Sequence, residues 1–236
     1  MTDNVNRFGQ PVGFPLTHWQ PRPFPQPMNV QGRTCRLAPF NADQHAAALY
    51  EAYAQAADER DWTWMSVGPF HSEADYLQLA QQMAQSRDPL HFTVIDRRNE
   101  KPVGTLALMR IVPEHGVAEV GNVAFSPQLQ RTVMATEAHY LLMRYVFDVL
   151  GYRRYEWKCD SCNQPSRRAA TRLGFEFEGI FRQAMVYKGR NRDTCWFSVI
   201  DSEWPQVKQG FERWLAPDNF TAQGEQRERL ENLRGG

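Results

Sequence analysis

From about residue 33 onward, apolar positions recur every second residue in some segments and every third or fourth in others, which predicts an alternation of strands and amphipathic helices. Residues 33–37 read as a first strand, and 43–56 as a helix with Ala46, Leu49, Tyr50 and Tyr53 along one side. A second helix runs from Ser72, an N-cap type of residue with acidic Asp75 three positions on, to about residue 87. Residues 90–96 and 103–112 form two strands across the polar turn 97–102, and 116–125 forms another after the turn 113–116. A long helix covers 133–150, with Ala138, Leu142, Tyr145 and Val149 at helical spacing and Gly151 just past its end. In 154–159, Tyr155, Trp157 and Cys159 alternate strictly with Arg154, Glu156 and Lys158, as in a half-buried strand. A short helix over 163–173 stops at Gly174, and strands 175–188 and 194–201 flank a turn at 189–193. A last amphipathic helix starts at 202–205 and carries Val207, Phe211 and Trp214.

This order predicts one α/β domain with a mixed sheet, over residues 31–217, and no internal repeat. Residues 1–30 differ in kind, because Phe8, Phe14, Trp19 and Phe24 are interspersed with six prolines between 11 and 27. Proline at this density forbids helix and ladder pairing, so the segment is an extended arm, either disordered or laid over the domain. Its aromatic residues favour the second. The polar tail 218–236 is expected to fray.

Composition narrows the function. Lys+Arg and Asp+Glu both total 27 in 236 residues, so nothing favours nucleic acid or an anionic membrane as partner. No apolar run reaches the roughly 18–20 residues of a membrane span, and residues 1–30 lack the layout of a signal peptide, so a cytoplasmic location is expected. Cys35 and Cys195 are isolated, and Cys159-Asp-Ser-Cys162 is the one pair with metal or redox spacing. It has no second pair or histidine pair to complete a zinc site, and Cys159 lies in a strand rather than at a helix start. No metal is expected, and these read as reduced thiols.

The strand ending at Phe125 leads directly into the helix at Val133. The first N–H groups of a helix lack internal partners and its dipole favours anions, so Gln130, Arg131 and Thr132 mark an anion-binding turn.

Two motifs sharpen this. Gln130-Arg-Thr-Val-Met-Ala135, continued by Thr136-Glu-Ala138, is similar to the pyrophosphate loop of the GNAT acetyltransferases, with Val133 where the family's first glycine stands. Asn163, Ser166, Leu173-Gly-Phe175 and Glu178-Gly179 match a second family pattern, and the likeness extends over residues 33–201. The chain resembles the RimJ/RimL type, which acetylates ribosomal-protein N-termini and small amines. The resemblance implies a mixed, mostly antiparallel central sheet flanked by helices, with splayed central strands holding acetyl-CoA. It implies that the backbone from Gln130 through Arg131, Thr132, Val133 and Met134 to Ala135 cradles the pyrophosphate. Val123, Ala124 and Phe125 would then hold the pantetheine arm and acetyl carbonyl, and Asn163 would bond the pantetheine. The acceptor would be a small-molecule amine or a peptide N-terminus, attacking directly in a ternary complex.

For catalysis, the resemblance points to Glu119 as proton acceptor and Ser166 as helper of the departing thiolate. An amine with pKa near 10 must lose a proton before it attacks, and a buried carboxylate suits that task. Glu119 reads equally as a partner for a cation on the next strand. Trp62, Trp64 and Phe70, in the loop between the first two helices, either line an acceptor slot or pack beneath the loop. His115 and His139 are weaker base candidates, and the charged turn 188–193 either binds an anionic group or is solvated. Two departures matter: Val133 puts a β-branched side chain beside the phosphates, so Val133→Gly is expected to tighten CoA binding, and Ala170 stands where many relatives carry a tyrosine acid. They keep open a protein that binds acyl-CoA without turnover. A peptide-binding module built on the arm is a third reading, and the arm could also reach a second subunit in a homodimer.

Overall fold

The computed structural model describes residues 4–234; the outermost parts of the arm (1–3) and of the tail (235–236) lie outside them. Eight strands form one sheet: β1 (Val30–Gln31), β2 (Cys35–Pro39), β3 (Leu90–Asp96), β4 (Lys101–Val112), β5 (Val117–Phe125), β6 (Arg154–Asp160), β7 (Glu176–Tyr187) and β8 (Arg190–Ile200). Their order is β1-β2-β3-β4-β5-β6-β8-β7. All neighbours are antiparallel except β5 and β6. The helices are α1 (Ala42–Tyr53), α2 (Glu73–Gln85), α3 (Val133–Arg144), α4 (Gln164–Leu173) and α5 (Trp204–Leu215). This is the expected mixed, mostly antiparallel sheet with flanking helices.

The main core lies on the face covered by α3 and α5, where Phe92, Leu106, Leu108, Val120, Tyr155 and Trp157 meet Leu142 and Phe211. A smaller cluster of Phe40, Ala46, Leu49, Tyr76 and Ala80 joins α1 and α2 on the opposite face. Caps fix the helix starts: Asn41 accepts from Gln44 N, Ser72 from Asp75 N and Thr132 from Ala135 N.

Several elements differ from the sequence reading for local reasons. β2 begins at Cys35 rather than residue 33, because Glu137 of α3 draws in the N–H groups of Arg33 and Thr34 at 2.6 Å each and of Cys35 at 3.2 Å. The Thr34 hydroxyl donates to the same carboxylate. The helix expected to 150 is α-helical only to Arg144; one wide π turn, Tyr145–Val149, changes its phase and leaves Val149 61% exposed. The β7–β8 turn is not 189–193 but Lys188-Gly189, both at positive φ (48° and 70°), the geometry of a tight two-residue hairpin.

The arm lies on the domain from Trp19 onward. The Trp19 indole donates to Glu114 O, and the hydroxyls of Tyr145 and Tyr152 donate to Gln26 O and Pro23 O. Phe8 and Phe14, however, are 71% and 67% exposed, so these two rings do not anchor it. The tail does not fray as expected: Leu230 is fully buried in the main core, with Phe220 packed against that core and edge-on to Trp214 at 5.4 Å.

Candidate active site

β5 and β6 pair in parallel only from Val117↔Arg154 to Val120↔Trp157. Beyond that point β5 continues to Phe125 on β4 and β6 to Asp160 on β8 without pairing to each other, so the sheet opens into a cleft between them. A bulge shapes the β5 side. Asn122 is at φ 49°, and the register with β4 shifts between Thr105↔Ala124 and Ala107↔Gly121. One inserted residue reverses which side chains face the core: Ala118 and Val120 do so before it, Val123 and Phe125 after it. Ala124 is thereby turned to the α1–α2 side, where the Tyr53 hydroxyl donates to its carbonyl at 3.1 Å.

The turn into α3 closes the cleft. Gln130 N and Thr132 N donate to Ser126 O and Leu129 O, and Ala135 N to the Thr132 hydroxyl. This leaves the N–H groups of Arg131, Val133 and Met134 without an acceptor among the described residues, a cluster suited to phosphate oxygens at a helix N-terminus. Arg131 takes a left-handed conformation (φ 59°), the bend that presents them. The Gln130 side chain faces inward, donating to Phe125 O and Asp61 Oδ2 at 2.8 Å each. Val133 is half-buried, with its side chain packed against the main core.

Across the cleft, Asn163 caps α4 through Oδ1, which accepts from Ser166 N at 3.1 Å. The Ser166 hydroxyl accepts the Trp157 indole N–H at 3.0 Å and sits beside the Cys159 thiol, whose pKa its hydrogen bond lowers against the effect of burial. Ala170 is fully buried in the core at the position of the missing tyrosine.

Glu119 is 5% exposed, and its Oε2 lies 2.8 Å from Lys158 Nζ and 3.2 Å from Arg110 Nε. Lys158 Nζ also bonds Glu156 Oε2 at 2.6 Å and sits 3.8 Å from the centre of the Trp196 ring. Both readings of Glu119 therefore meet in one group: it is ion-paired across the strands, yet burial still raises its pKa, with Lys158 and Arg110 opposing. The polar side of β6 is not half-solvated as its alternation suggested, since Glu156 is also buried and shares the lysine.

A cavity of 330 Å³ opens beside Ala124 and Asn122, lined by residues of α1, α2, β3, β4 and the α1–α2 loop. Trp62 lines it, as do Tyr53, Tyr76, His91 and Thr105, which the sequence did not single out. Phe70 buttresses Trp62 edge-on at 5.2 Å instead, and Trp64 is not part of the lining. Lys188 Nζ donates to Trp62 O and Val67 O at 2.8 and 3.2 Å, and Arg190 to Thr63 O at 2.5 Å. The charged turn therefore fastens the cavity's roof. His139 packs at a tilt between Phe125 and Trp157, where burial pushes its pKa down to about 4, and His115 is exposed in the β4–β5 turn. Burial raises the Cys159 thiol to about 11, which makes it a poor nucleophile.

Residues 35–176 match the family described as Acetyltransferase (GNAT) domain. The chain belongs to the GNAT acetyltransferases. A crystal structure of a GCN5-related N-acetyltransferase from Brucella melitensis is 50% identical, superposes with a TM-score of 0.91, and is covered over 99% of its chain by 93% of this one. A GNAT structure from Chromobacterium violaceum is 39% identical at a TM-score of 0.77, over 83% of this chain and 98% of that one. An N-acetyltransferase of unknown role from Bacillus licheniformis, p20, is 29% identical over 60% of this chain and 80% of its own length. GNAT acetyltransferases use acetyl-CoA as co-substrate. No metal cluster of His, Cys, Asp or Glu occurs among the described residues, and none of their helices is long and apolar enough to cross a membrane.

Proposed function

We propose that this protein transfers the acetyl group of acetyl-CoA to a primary amine, by direct attack within a ternary complex. The observation that carries the reading is the β5–β6 pair, which parts after Val120↔Trp157 directly in front of the unpaired N–H groups of α3. A pantetheine arm extended along Val123, Ala124 and Phe125 would bring the thioester to the cavity mouth at Ala124. There the amine lone pair attacks the carbonyl carbon; the C–N bond forms, the C–S bond breaks, and the sulfur leaves as thiolate. The amine's proton passes to Glu119 through water, since Glu119 does not line the cavity. Ser166, whose oxygen accepts the Trp157 indole N–H, is the candidate to assist the departing thiolate.

The two motifs at Gln130–Ala135 and Asn163–Ser166 support a second reading, the RimJ/RimL type with a ribosomal-protein N-terminus as acceptor, which competes with a small amine for the same cavity. The test is free-thiol release from acetyl-CoA over a panel of amines and peptides. Release with at least one acceptor, matched by a mass gain of one acetyl group on it, is the expected result. Tight CoA binding with no release on any acceptor would establish instead a CoA-binding protein without turnover, the reading that buried Ala170 favours.

A further inference from the structure

The cavity beside Ala124 is 330 Å³, near the lower end of small-molecule sites, which span about 300–1,000 Å³. Its walls are chiefly apolar and aromatic, with Tyr53, Trp62, Met65, Tyr76, Leu79 and Met83 among them. Among the described residues that line it there is no Asp, Glu, Lys or Arg. His91, 6% exposed, lines it with a buried Nδ1 that has no hydrogen-bond partner. An imidazole buried without a counter-charge stays neutral at physiological pH. The Tyr53 hydroxyl is committed to Ala124 O. The ion cluster of Glu119, Lys158 and Glu156 lies outside the lining.

We infer that the acceptor is a small amine with one amino group on an apolar body, an aralkylamine or alkylamine of modest size. This rests on the acetyl-transfer reading above. A polyamine or aminoglycoside brings further ammonium groups that must leave water, and this cavity offers them no carboxylate. A single amino group meets the opposite situation. Its apolar body fills the cavity while the nitrogen stays at the mouth by Ala124 and Asn122, where the splayed backbone of β5 begins. Desolvation lowers the pKa of an ammonium, so the walls themselves favour the neutral nucleophile.

The experiment compares phenethylamine and hexylamine with spermidine, kanamycin and a hexapeptide beginning with alanine, by kcat/KM for thiol release with the full chain. Phenethylamine should exceed spermidine and kanamycin by at least about 100-fold, the scale of an uncompensated buried charge. Met83→Glu should narrow that ratio at least about tenfold by giving a second ammonium its partner; Ser86→Asp, on the same wall, serves if the first variant does not fold. Turnover of spermidine, kanamycin or the peptide equal to or above that of phenethylamine overturns the inference. Absence of thiol release with every acceptor sinks the acetyl-transfer reading, and binding alone then decides. Dialysis retention of uncharged N-acetylphenethylamine over N-acetylspermidine, reduced in Met83→Glu, upholds the apolar cavity; no retention overturns it.

Discussion

Lys158 Nζ lies 2.8 Å from Glu119 and 2.6 Å from Glu156, and all three side chains are less than a tenth exposed. The parallel register Glu119↔Glu156 sets two carboxylates side by side; one lysine on β6 bridges both, while Arg110 supplies a second cation to Glu119 and Arg154 to Glu156. Arg154 continues the chain, pairing with Glu156 at 2.7 Å and Glu178 at 2.6 Å.

Lys158→Met should therefore be costly. It leaves two buried carboxylates short of a cation, a loss of about 3–5 kcal/mol. The pH dependence follows from Glu119, whose folded pKa is raised above the ordinary 4.5 by burial. A group raised in this way supports the fold fully below its unfolded pKa, and that support is lost as pH rises through the folded pKa. Removing the lysine raises the folded pKa further. Urea unfolding should show the variant's deficit smallest near pH 4 and growing toward neutrality; a deficit independent of pH would mean that Lys158 acts by packing on Trp196 alone.

Glu119→Gln leaves Lys158 its bond to Glu156, so the fold should survive. If Glu119 accepts the amine's proton, turnover should fall about 10²–10⁴-fold near neutral pH, and much less near pH 10, where the amine is already largely free. Equal loss at both pH values would leave Glu119 with a structural role only.

Val133→Gly should not tighten CoA binding, because the valine side chain already packs against the core. It should lose a few tenths of a kcal/mol of helix propensity together with that packing. Calorimetric titration with CoA is expected to show equal or weaker affinity. Tighter binding would return the branched side chain to the phosphate face.

Glu137, in the Thr-Glu-Ala continuation of the motif, accepts three backbone N–H groups and the Thr34 hydroxyl. Glu137→Ala should cost about 2–4 kcal/mol, since hydrogen bonds to a charged acceptor are the stronger ones. The relative rates for different amines should stay as in the parent. A changed ranking would place this carboxylate in the site rather than behind it.

The sequence disclosed what depends on local pattern. The periods of β3, β5 and α3, the cap at Ser72 and the stop at Gly174 are each encoded within a few residues. It concealed what depends on one inserted residue or on distant encounters. Gly121-Asn122-Val123 reads as continuous strand, yet the bulge there decides that Ala124 faces the cavity. The π turn after Arg144 shifted Val149 by the same kind of insertion. Arg154, Glu156 and Lys158 are charged, and charge normally signals water; the sequence offered Glu119 a cation on the next strand, but only the fold shows that Lys158 is that cation and that Glu156 is buried with it. Tyr53, Tyr76, His91 and Thr105 come from four elements, and folding alone brings them around one cavity.

The bonds from Lys188 and Arg190 to the carbonyls of Trp62, Thr63 and Val67 tie the outermost hairpin of the sheet to the roof of the acceptor cavity. Roof and hairpin are consequently one mechanical unit. Exchanging the α1–α2 loop for a relative's would transplant the lining without its latch, so a graft meant to carry acceptor preference must bring the 188–190 turn with it.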